Sequence, residues 1–399
     1  MNLPFFKKKS ITDLFLGIDI GTYSVKVGTF QLDESGIAHL IGFGEKRHSL
    51  GQIKGGRITD SPGVAKNIIE ATAISTEMAG VKTDLAVVGV SGEICHGSTT
   101  VVRLKRMNSG LPITFDELDQ MDLKVSVAAK SEAEAVLSQE FGLMEVEVDV
   151  LSTSVTNYKI DGRTVHDPIG ETGDTVDVYC YTSFLLASDM TMIHDTVKKS
   201  KLHSVVTTAN IYALNQALCR ENPDKSHFIL VDCGGEQTTV AVVIEGGIVA
   251  QASFPIGSNA LTRSIMHDFE IDFEEAESRK IEFSEGEIFD DEATEIKRSV
   301  SQALKLWVAS LEMTLSEMDE MQTFPHRVLL TGGGAQFPLF EQALNKINWT
   351  QSLHMSGDVE IKLVNEQQLI GVTNDLTDLT DGMIVTMSLG IIGGDVTNL

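Results

Sequence analysis

In "FLGIDIGTYSVKVGTF", residues 15–30, two apolar, alternating stretches run into and out of a short polar turn, and a third run follows in "IAHLIGFGEKRHSL". Period-two alternation is the pattern of strands with one buried face. A meander of three strands is therefore predicted. In "PGVAKNIIEATAISTEMAG" the spacing becomes helical, with Val64, Ile68, Ala71 and the neighbourhood of Ile74 and Ser75 on one face and Gly80 as the stop. "DLAVVGVSG" then reads as a buried strand. Strands alternating with helices put the chain in the α/β class, with helices packed on a sheet.

From Asp84 to about Ala187 the texture changes. "FDELDQMDLKVSVAAKSEAEAVL" is helical, "MEVEVDVLSTSVTNYKIDG" alternates at period two, and "DPIGETGDTVDVYCYTSFLL" runs from a Pro-Gly loop into another strand. A compact unit inserted in the first domain is expected over 84–187, after which "SDMTMIHDTVKKSKL" and "NIYALNQALC" return as helices. At 228 the opening pattern recurs as "FILVDCGGEQTTVAVVIEGGIVAQASF": an apolar strand ending in an aspartate, a glycine turn, and two further strands. A repeated supersecondary unit implies two related domains, and 399 residues exceed what one core usually serves. Helices follow, one with Ile296, Val300, Leu304, Trp307, Val308, Leu311 and Leu315 on a single apolar stripe. "RVLLTGGGAQFPLFEQAL" is strand, triple-glycine turn and helix, and "MIVTMSLGIIGGDVTNL" is a small, apolar closing helix.

Charge narrows the function. A formal net charge of −26 repels phosphate backbones and argues against general nucleic-acid binding, while leaving room for one local nucleotide site. The four cysteines are widely separated, with no metal-ligand spacing, which points to reduced, structural thiols and a cytoplasmic location. No apolar run reaches the length of a membrane span, and the N-terminus lacks an apolar signal region. The segment "MNLPFFKKKS" departs from the acidic background: Leu3, Phe5 and Phe6 beside Lys7, Lys8 and Lys9 could meet a lipid surface, or form a solvated tail.

The glycine turns suggest the chemistry. Successive backbone N–H groups in such a turn form a concave nest for phosphate. Asp19 and Asp232, at the mouths of the two repeated turns, would repel phosphate unless a hard cation lay between. Mg²⁺ keeps several waters and is commonly held by one or two carboxylates plus phosphate oxygens, so Asp19 and Asp232 are expected to face a hydrated Mg²⁺ from two sides.

The combination resembles the actin/Hsp70/sugar-kinase superfamily, in which duplicated ribonuclease-H-like subdomains clasp Mg-ATP. By that resemblance Gly21, Thr22, Tyr23, Ser24 and Lys26 match the first phosphate loop, and Gly234, Gly235 and Thr238 the second, beside Asp232. Glu277 and Lys280 in "AESRK" match the helix that contacts ribose and adenine, and Gly332, Gly333 and Gly334 the adenosine loop. Within the superfamily, "SLGQIKGGRITD", "AVVGVSGEICHG", "YKIDGRTVHDPIGETGDTVDV" and "LLTGGGAQFPLF" resemble the FtsA family of bacterial cell-division proteins across about residues 12–393. The resemblance implies an actin-like two-domain fold with an FtsA-type 1C subdomain. Its expected divisions are a tail at 1–11, subdomain 1A at 12–83 and 188–227, the 1C-like insert at 84–187, subdomain 2A at 228–262 and 325–375, a reduced 2B-like part at 263–324, and a closing segment at 376–399. It also implies ATP and Mg²⁺ as cofactors, self-association into filaments, binding of the FtsZ C-terminal tail, and a peripheral place at the inner face of the cell membrane.

Three departures qualify that picture. Glu236 stands where the second phosphate loop would have a third glycine and Val240 where a carboxylate is common, so slow hydrolysis at most is expected. No amphipathic helix follows "GGDVTNL", which leaves any membrane anchor to the N-terminal stretch or to a partner. The short segment between "AESRK" and the Trp307 helix also resembles PilM, an actin-like cytoplasmic component of type IV pilus assembly, which is the second expectation.

Overall fold

The computed structural model describes residues 13–397 apart from 143, 144, 166, 224, 225, 319, 320 and 377–380. The lysine- and phenylalanine-bearing tail at 1–11 lies outside the described residues. The predicted meander is formed by β1 (Leu14–Ile20), β2 (Ser24–Leu32) and β3 (Ala38–Arg47), all antiparallel. A small hairpin, β4 (Ile53–Lys54) and β5 (Arg57–Ile58), leads into α1 (Ser61–Ala79). The Asp60 carboxylate accepts the Gly63 N–H at 3.1 Å to cap that helix, and Gly80 ends it at φ 67°. Its inner face runs through Val64, Ile68, Ala71 and Ser75, while Ile74 is turned outward. Helix α1 lies so close to β3 that a Cβ at Gly42 or Gly44 would fall 2.1 Å from the Ser75 or Ala71 carbonyl oxygen. Only glycine permits that approach. Strand β6 (Leu85–Val90) is parallel to β1 in the same sheet.

Because β6 belongs to the first sheet, the inserted unit begins near His96 rather than at Asp84. It comprises β7 (His96–Lys105), α2 (Phe115–Phe141), β8 (Val148–Ile160), β9 (Arg163–Val165) and β10 (Thr175–Leu186), with strand order β7-β10-β8-β9. Helix α2 covers this sheet over a separate core that includes Val102, Met121, Val125, Ala129, Val176 and Val178. The chain then returns through α3 (Ala187–Lys199), β11 (His203–Ala209) and α4 (Asn210–Cys219).

The second domain opens with β12 (Phe228–Cys233), β13 (Thr238–Ile244) and β14 (Gly247–Phe254), then α5 (Asn259–Phe269), α6 (Phe273–Ser284) and α7 (Asp290–Ser316). It continues with β15 (Arg327–Thr331), α8 (Leu339–Lys346) and β16 (Glu360–Leu363) before β17 (Val372–Asn374) and α9 (Ile384–Thr397) return to the first. The two sheets repeat one plan: β3-β2-β1-β6-β11 in the first corresponds to β14-β13-β12-β15-β16 in the second, with β17 added to the first at the β3 edge. In both, the meander is antiparallel and the last two strands are parallel to the central one. Between the domains one continuous core joins Ile211 and Leu214 of α4 to Leu230, Ala241 and Val243 of the second sheet.

On the other face of that sheet every residue of the expected α7 stripe is buried. Trp307 is its centre: the ring meets Phe340 edge-on at 4.7 Å, and Nε1 donates to Thr238 Oγ1 at 2.8 Å. Truncating a buried tryptophan costs about 3–5 kcal/mol. Trp307→Ala is expected to lower the unfolding free energy by that order, measured in urea titrations read through Trp349 fluorescence.

Candidate functional site

Each β-hairpin of the duplicated meanders turns in the same way. The Gly21 N–H donates to the Ser24 carbonyl at 3.1 Å, and the Gly234 N–H to the Gln237 carbonyl at 2.9 Å. In register, Asp19 lies opposite Lys26 and Asp232 opposite Thr239. The loops therefore correspond residue by residue, Gly21 to Gly234, Ser24 to Gln237 and Lys26 to Thr239. This correspondence corrects one expectation. Thr238 occupies the place of the buried Val25, and strand alternation turns it inward, where its hydroxyl donates to the Ile256 carbonyl at 2.7 Å and accepts from Trp307. Thr239 takes the cleft-facing position. Val240 shares the inward parity and is fully buried in the second core, so it is not the place where a carboxylate would face the cleft.

The two loops, the glycines after β15, and α6 enclose a cleft of about 880 Å³ between the domains. Asp19, Gly21, Thr22, Tyr23, Ser24 and Lys26 line it from the first domain. Asp232, Gly234, Gly235, Glu277, Lys280 and Gly332, Gly333 and Gly334 line it from the second. At Gly332 a Cβ would fall 2.4 Å from Asp232 Oδ1, so this wall admits only bare backbone. Motif reading missed Asn210 and Gln237. Asn210 opens α4 directly after β11, whose sequence His-Ser-Val-Val-Thr-Thr-Ala is itself largely polar, so no local contrast marks it.

Burial pushes the Asp19 carboxyl above the usual carboxylate range, opposed by Lys26 and by the Asn210 Nδ2 donated at 2.7 Å. Burial and the neighbouring Asp19 push Asp232 up to about 7, with Lys26 again opposing. On α6, Lys280 Nζ pairs with Glu277 Oε2 at 2.8 Å, and Thr262 Oγ1 donates to the same oxygen at 2.6 Å. Burial lowers the Lys280 ammonium from its usual range, against the pull of Glu277. The Ser24 hydroxyl is committed to Glu45 at 2.5 Å, and the Thr22 hydroxyl accepts the Glu236 N–H across the cleft at 3.2 Å. Glu236 does not direct its charge into the cleft unopposed: its carboxylate accepts from Arg263 at 2.6 Å and from Asn259 at 2.7 Å.

These residues fit a hydrated divalent cation and a polyphosphate. Two carboxylates converge with a lysine between their fields, and among the described residues no group of three or more His, Cys, Asp and Glu forms a closed metal cage. That donor set suits an ion that keeps its waters and takes phosphate oxygens. Buried polar atoms with no hydrogen-bond partner, Asn210 Oδ1 and Gln237 Nε2, belong to residues lining the same cleft.

Comparison with known proteins agrees with this architecture. A family model described as "Cell division protein FtsA" matches residues 229–381. FtsA of Enterococcus faecalis is 23% identical over 359 residues, covering 82% of this chain and 75% of that protein. FtsA of Bacillus subtilis is 25% identical over 350 residues, covering 82% and 74%. FtsA of Helicobacter pylori is 21% identical over 425 residues, covering 96% and 82%. Among solved structures, the PilM-PilN type IV pilus biogenesis complex matches with a TM-score of 0.61 at 17% identity, over 95% of this chain and 98% of that one. The ethanolamine utilization protein EutJ from Carboxydothermus hydrogenoformans matches with a TM-score of 0.50 at 16% identity, over 96% and 91%. The chain has the actin-like ATPase fold, and its resemblance to FtsA is borne out.

A histidine beside the first loop gives the fold's stability an acid limit. His48 donates its backbone N–H to the Tyr23 carbonyl at 2.9 Å, and its Nδ1 lies 2.9 Å from Asn67 Nδ2. Burial lowers the imidazole to about 4 from 6.5. A depressed folded value means the unfolded chain binds more protons between those limits, so this contribution is complete above about pH 6.5 and is lost as pH falls toward 4. His48→Gln should flatten the loss of thermal stability over that window in a differential scanning series. An unchanged acid limb would refute the assignment.

Proposed function

We propose that this chain is an ATP-binding, actin-like scaffold of cell division, which polymerises and links the FtsZ ring to the cytoplasmic membrane. The observation that carries the nucleotide part is the pairing of Asp19 and Asp232 at equivalent ends of β1 and β12, each beside a glycine turn. Mg²⁺ bound there supplies charge compensation for a polyphosphate. The chain's own groups do the rest: backbone N–H groups of the two turns and Lys26 receive phosphate oxygens, Asn210 orients Asp19, and Glu277 and Lys280 receive the nucleoside. Likeness to FtsA along most of the chain supports the division role. Self-association and the FtsZ tail are carried by that likeness alone. Membrane attachment rests on the same likeness and on the N-terminal aromatic and lysine residues, or on a partner.

A second reading, a cytoplasmic component of a type IV pilus platform, is favoured by one feature. The described residues from α5 to the end of α7 form helices and turns with no strand, so the 2B-like part is small. The match to the PilM-PilN complex likewise covers nearly all of that chain.

Two measurements test these readings. Asp19→Ala and Asp232→Ala should each weaken Mg-ATP binding by about tenfold or more, roughly 1.4 kcal/mol, in titration calorimetry. Undiminished affinity in both would remove the metal geometry. The Mg-ATP-loaded protein is expected to bind a labelled FtsZ C-terminal peptide in preference to the N-terminal peptide of an inner-membrane pilus component from the same cell. The opposite preference would replace the division reading with the pilus one.

A further inference from the structure

Strand β3 carries His39 between two carboxylates. Its Nε2 lies 3.3 Å from Asp33 Oδ2, in the β2-β3 turn, and its Nδ1 lies 3.2 Å from Asp375 Oδ2, just past β17. The Thr373 hydroxyl, on β17 itself, lies 3.0 Å from the same Nδ1. Asp33 is held in place by its own turn: Oδ1 accepts the Ser35 N–H at 2.8 Å, the Ser35 hydroxyl at 2.7 Å and the Ile37 N–H at 2.9 Å, which leaves Oδ2 to face the ring. The bonds from Ser35 and Ile37, with a smaller one from His39, hold the Asp33 carboxyl down at about 2, so it is an anion throughout the neutral range. Asp375 meets the ring through its carboxylate, and its N–H donates to the Leu40 carbonyl at 3.1 Å. Strand β17 has only three residues paired with β3, Val372 with Ala38, Thr373 with His39 and Asn374 with Leu40, yet it is where the chain rejoins the first sheet on the way to α9. With so short a ladder, side chains that bridge β3 and β17 carry a large share of the attachment.

A neutral imidazole has one N–H and one lone pair, whereas an imidazolium has two N–H groups. As a cation, His39 donates to both carboxylates. As a neutral ring it must turn a lone pair toward one of them, and Thr373 decides which. The Thr373 hydroxyl can donate to Nδ1 only when that nitrogen is unprotonated, so the single N–H stays on Nε2 with Asp33, and Asp375 loses its donor. We propose that His39 is a proton-operated clamp on the returning segment, which exchanges Asp375 for Thr373 as its partner when the proton leaves. The charged groups facing the ring are Asp33 from the β2-β3 turn and Asp375 from the end of β17, while its neighbours Gln31 on β2 and Thr373 on β17 are neutral. Burial alone would lower the imidazole, but the hydrogen bonds and charges of Asp375 and Asp33 outweigh it and raise the ring above its ordinary 6.5. A raised folded value means that the clamp is complete below about pH 6.5 and is lost as pH climbs through the folded value, the opposite sense to His48. Partly exposed ion pairs contribute little to global stability. The effect is therefore local, in the opening of β17 from β3.

The test is an NMR titration of the full chain with labelled histidines, joined to amide hydrogen exchange. His39 of the wild type should titrate above 6.5. Asp375→Asn should lower that midpoint, because it removes an anion that favours the cation, and Thr373→Val should raise it, because it removes the donor that favours the neutral ring. A histidine that is merely near the surface would not give shifts of opposite sign. Exchange of the residue 375 amide, corrected for its intrinsic rate, should quicken by about two- to fivefold from below the His39 midpoint to above it, and should show no such step in His39→Gln. A His39 midpoint at or below 6.5, shifts of the same sign in Asp375→Asn and Thr373→Val, or a wild-type residue 375 amide whose protection does not change across the midpoint each overturns the inference.

Discussion

Two carboxylates withdrawn from water at matching points of a duplicated fold set the terms for everything around them. Asp19 and Asp232 each end a central strand, each is disfavoured as an anion by burial, and Asp232 also feels Asp19. A buried charge is costly unless paired and hydrogen-bonded. One lysine, Lys26, opposes both shifts, and one asparagine, Asn210, supplies a hydrogen bond to one of them. The compensation inside the protein is incomplete, which is the condition under which a cation becomes the best remaining partner. The glycine turns beside each carboxylate then complete the logic, since they add backbone donors where the cation brings phosphate.

The same duplication explains what could be read from the chain. Period-two runs leading into an aspartate and a glycine turn recur at 15 and 228, and the two sheets have the corresponding strand order. Strand alternation within a hairpin is equally legible in principle, but the register must be known to the residue. Taking Thr238 as cleft-facing was a one-residue slip, and in a strand such a slip moves a side chain to the opposite face. Partners distant in sequence were out of reach. Asn210 meets Asp19 across 191 residues, and Gln237 meets Glu93 across 144. Glu236 misled for the same reason: its charge could be counted, but the Arg263 and Asn259 that receive it come from α5, with no local motif to announce them. The insert's start was misplaced because β6 is joined to the first sheet by parallel pairing with β1, a contact that leaves no mark at the boundary itself.

Between the domains, the two sides of the joint differ in kind. On one side α4 shares a continuous apolar core with the second sheet, and Asn215 Nδ2 donates to the Gly246 carbonyl at 2.8 Å. Apolar burial of this sort is non-directional and resists separation. On the cleft side, single polar contacts cross: the Glu236 N–H to Thr22, the Glu93 N–H to Gln237, and the exposed Arg47 to Glu274 at 3.4 Å. An ion pair that exposed contributes little. The two domains are thus held mainly by apolar burial on the α4 side and by a few polar contacts on the cleft side.

The insert adds to this joint. Its Thr99 hydroxyl donates to the Val249 carbonyl at 3.3 Å and its Tyr181 hydroxyl to the Gln251 carbonyl at 3.4 Å, both on β14 of the second domain. Its root, meanwhile, is held from the cleft by Gln237. A unit covalently part of the first domain but hydrogen-bonded to the second cannot keep all its contacts if the domains rotate about the α4 joint. The insert has a core of its own under α2, while its Leu151, Tyr181 and Leu185 join the core shared by the two domains. The insert therefore belongs to the joint between the domains as well as to the first domain, and its hydrogen bonds to β14 add to the apolar contacts of α4 in holding the two together.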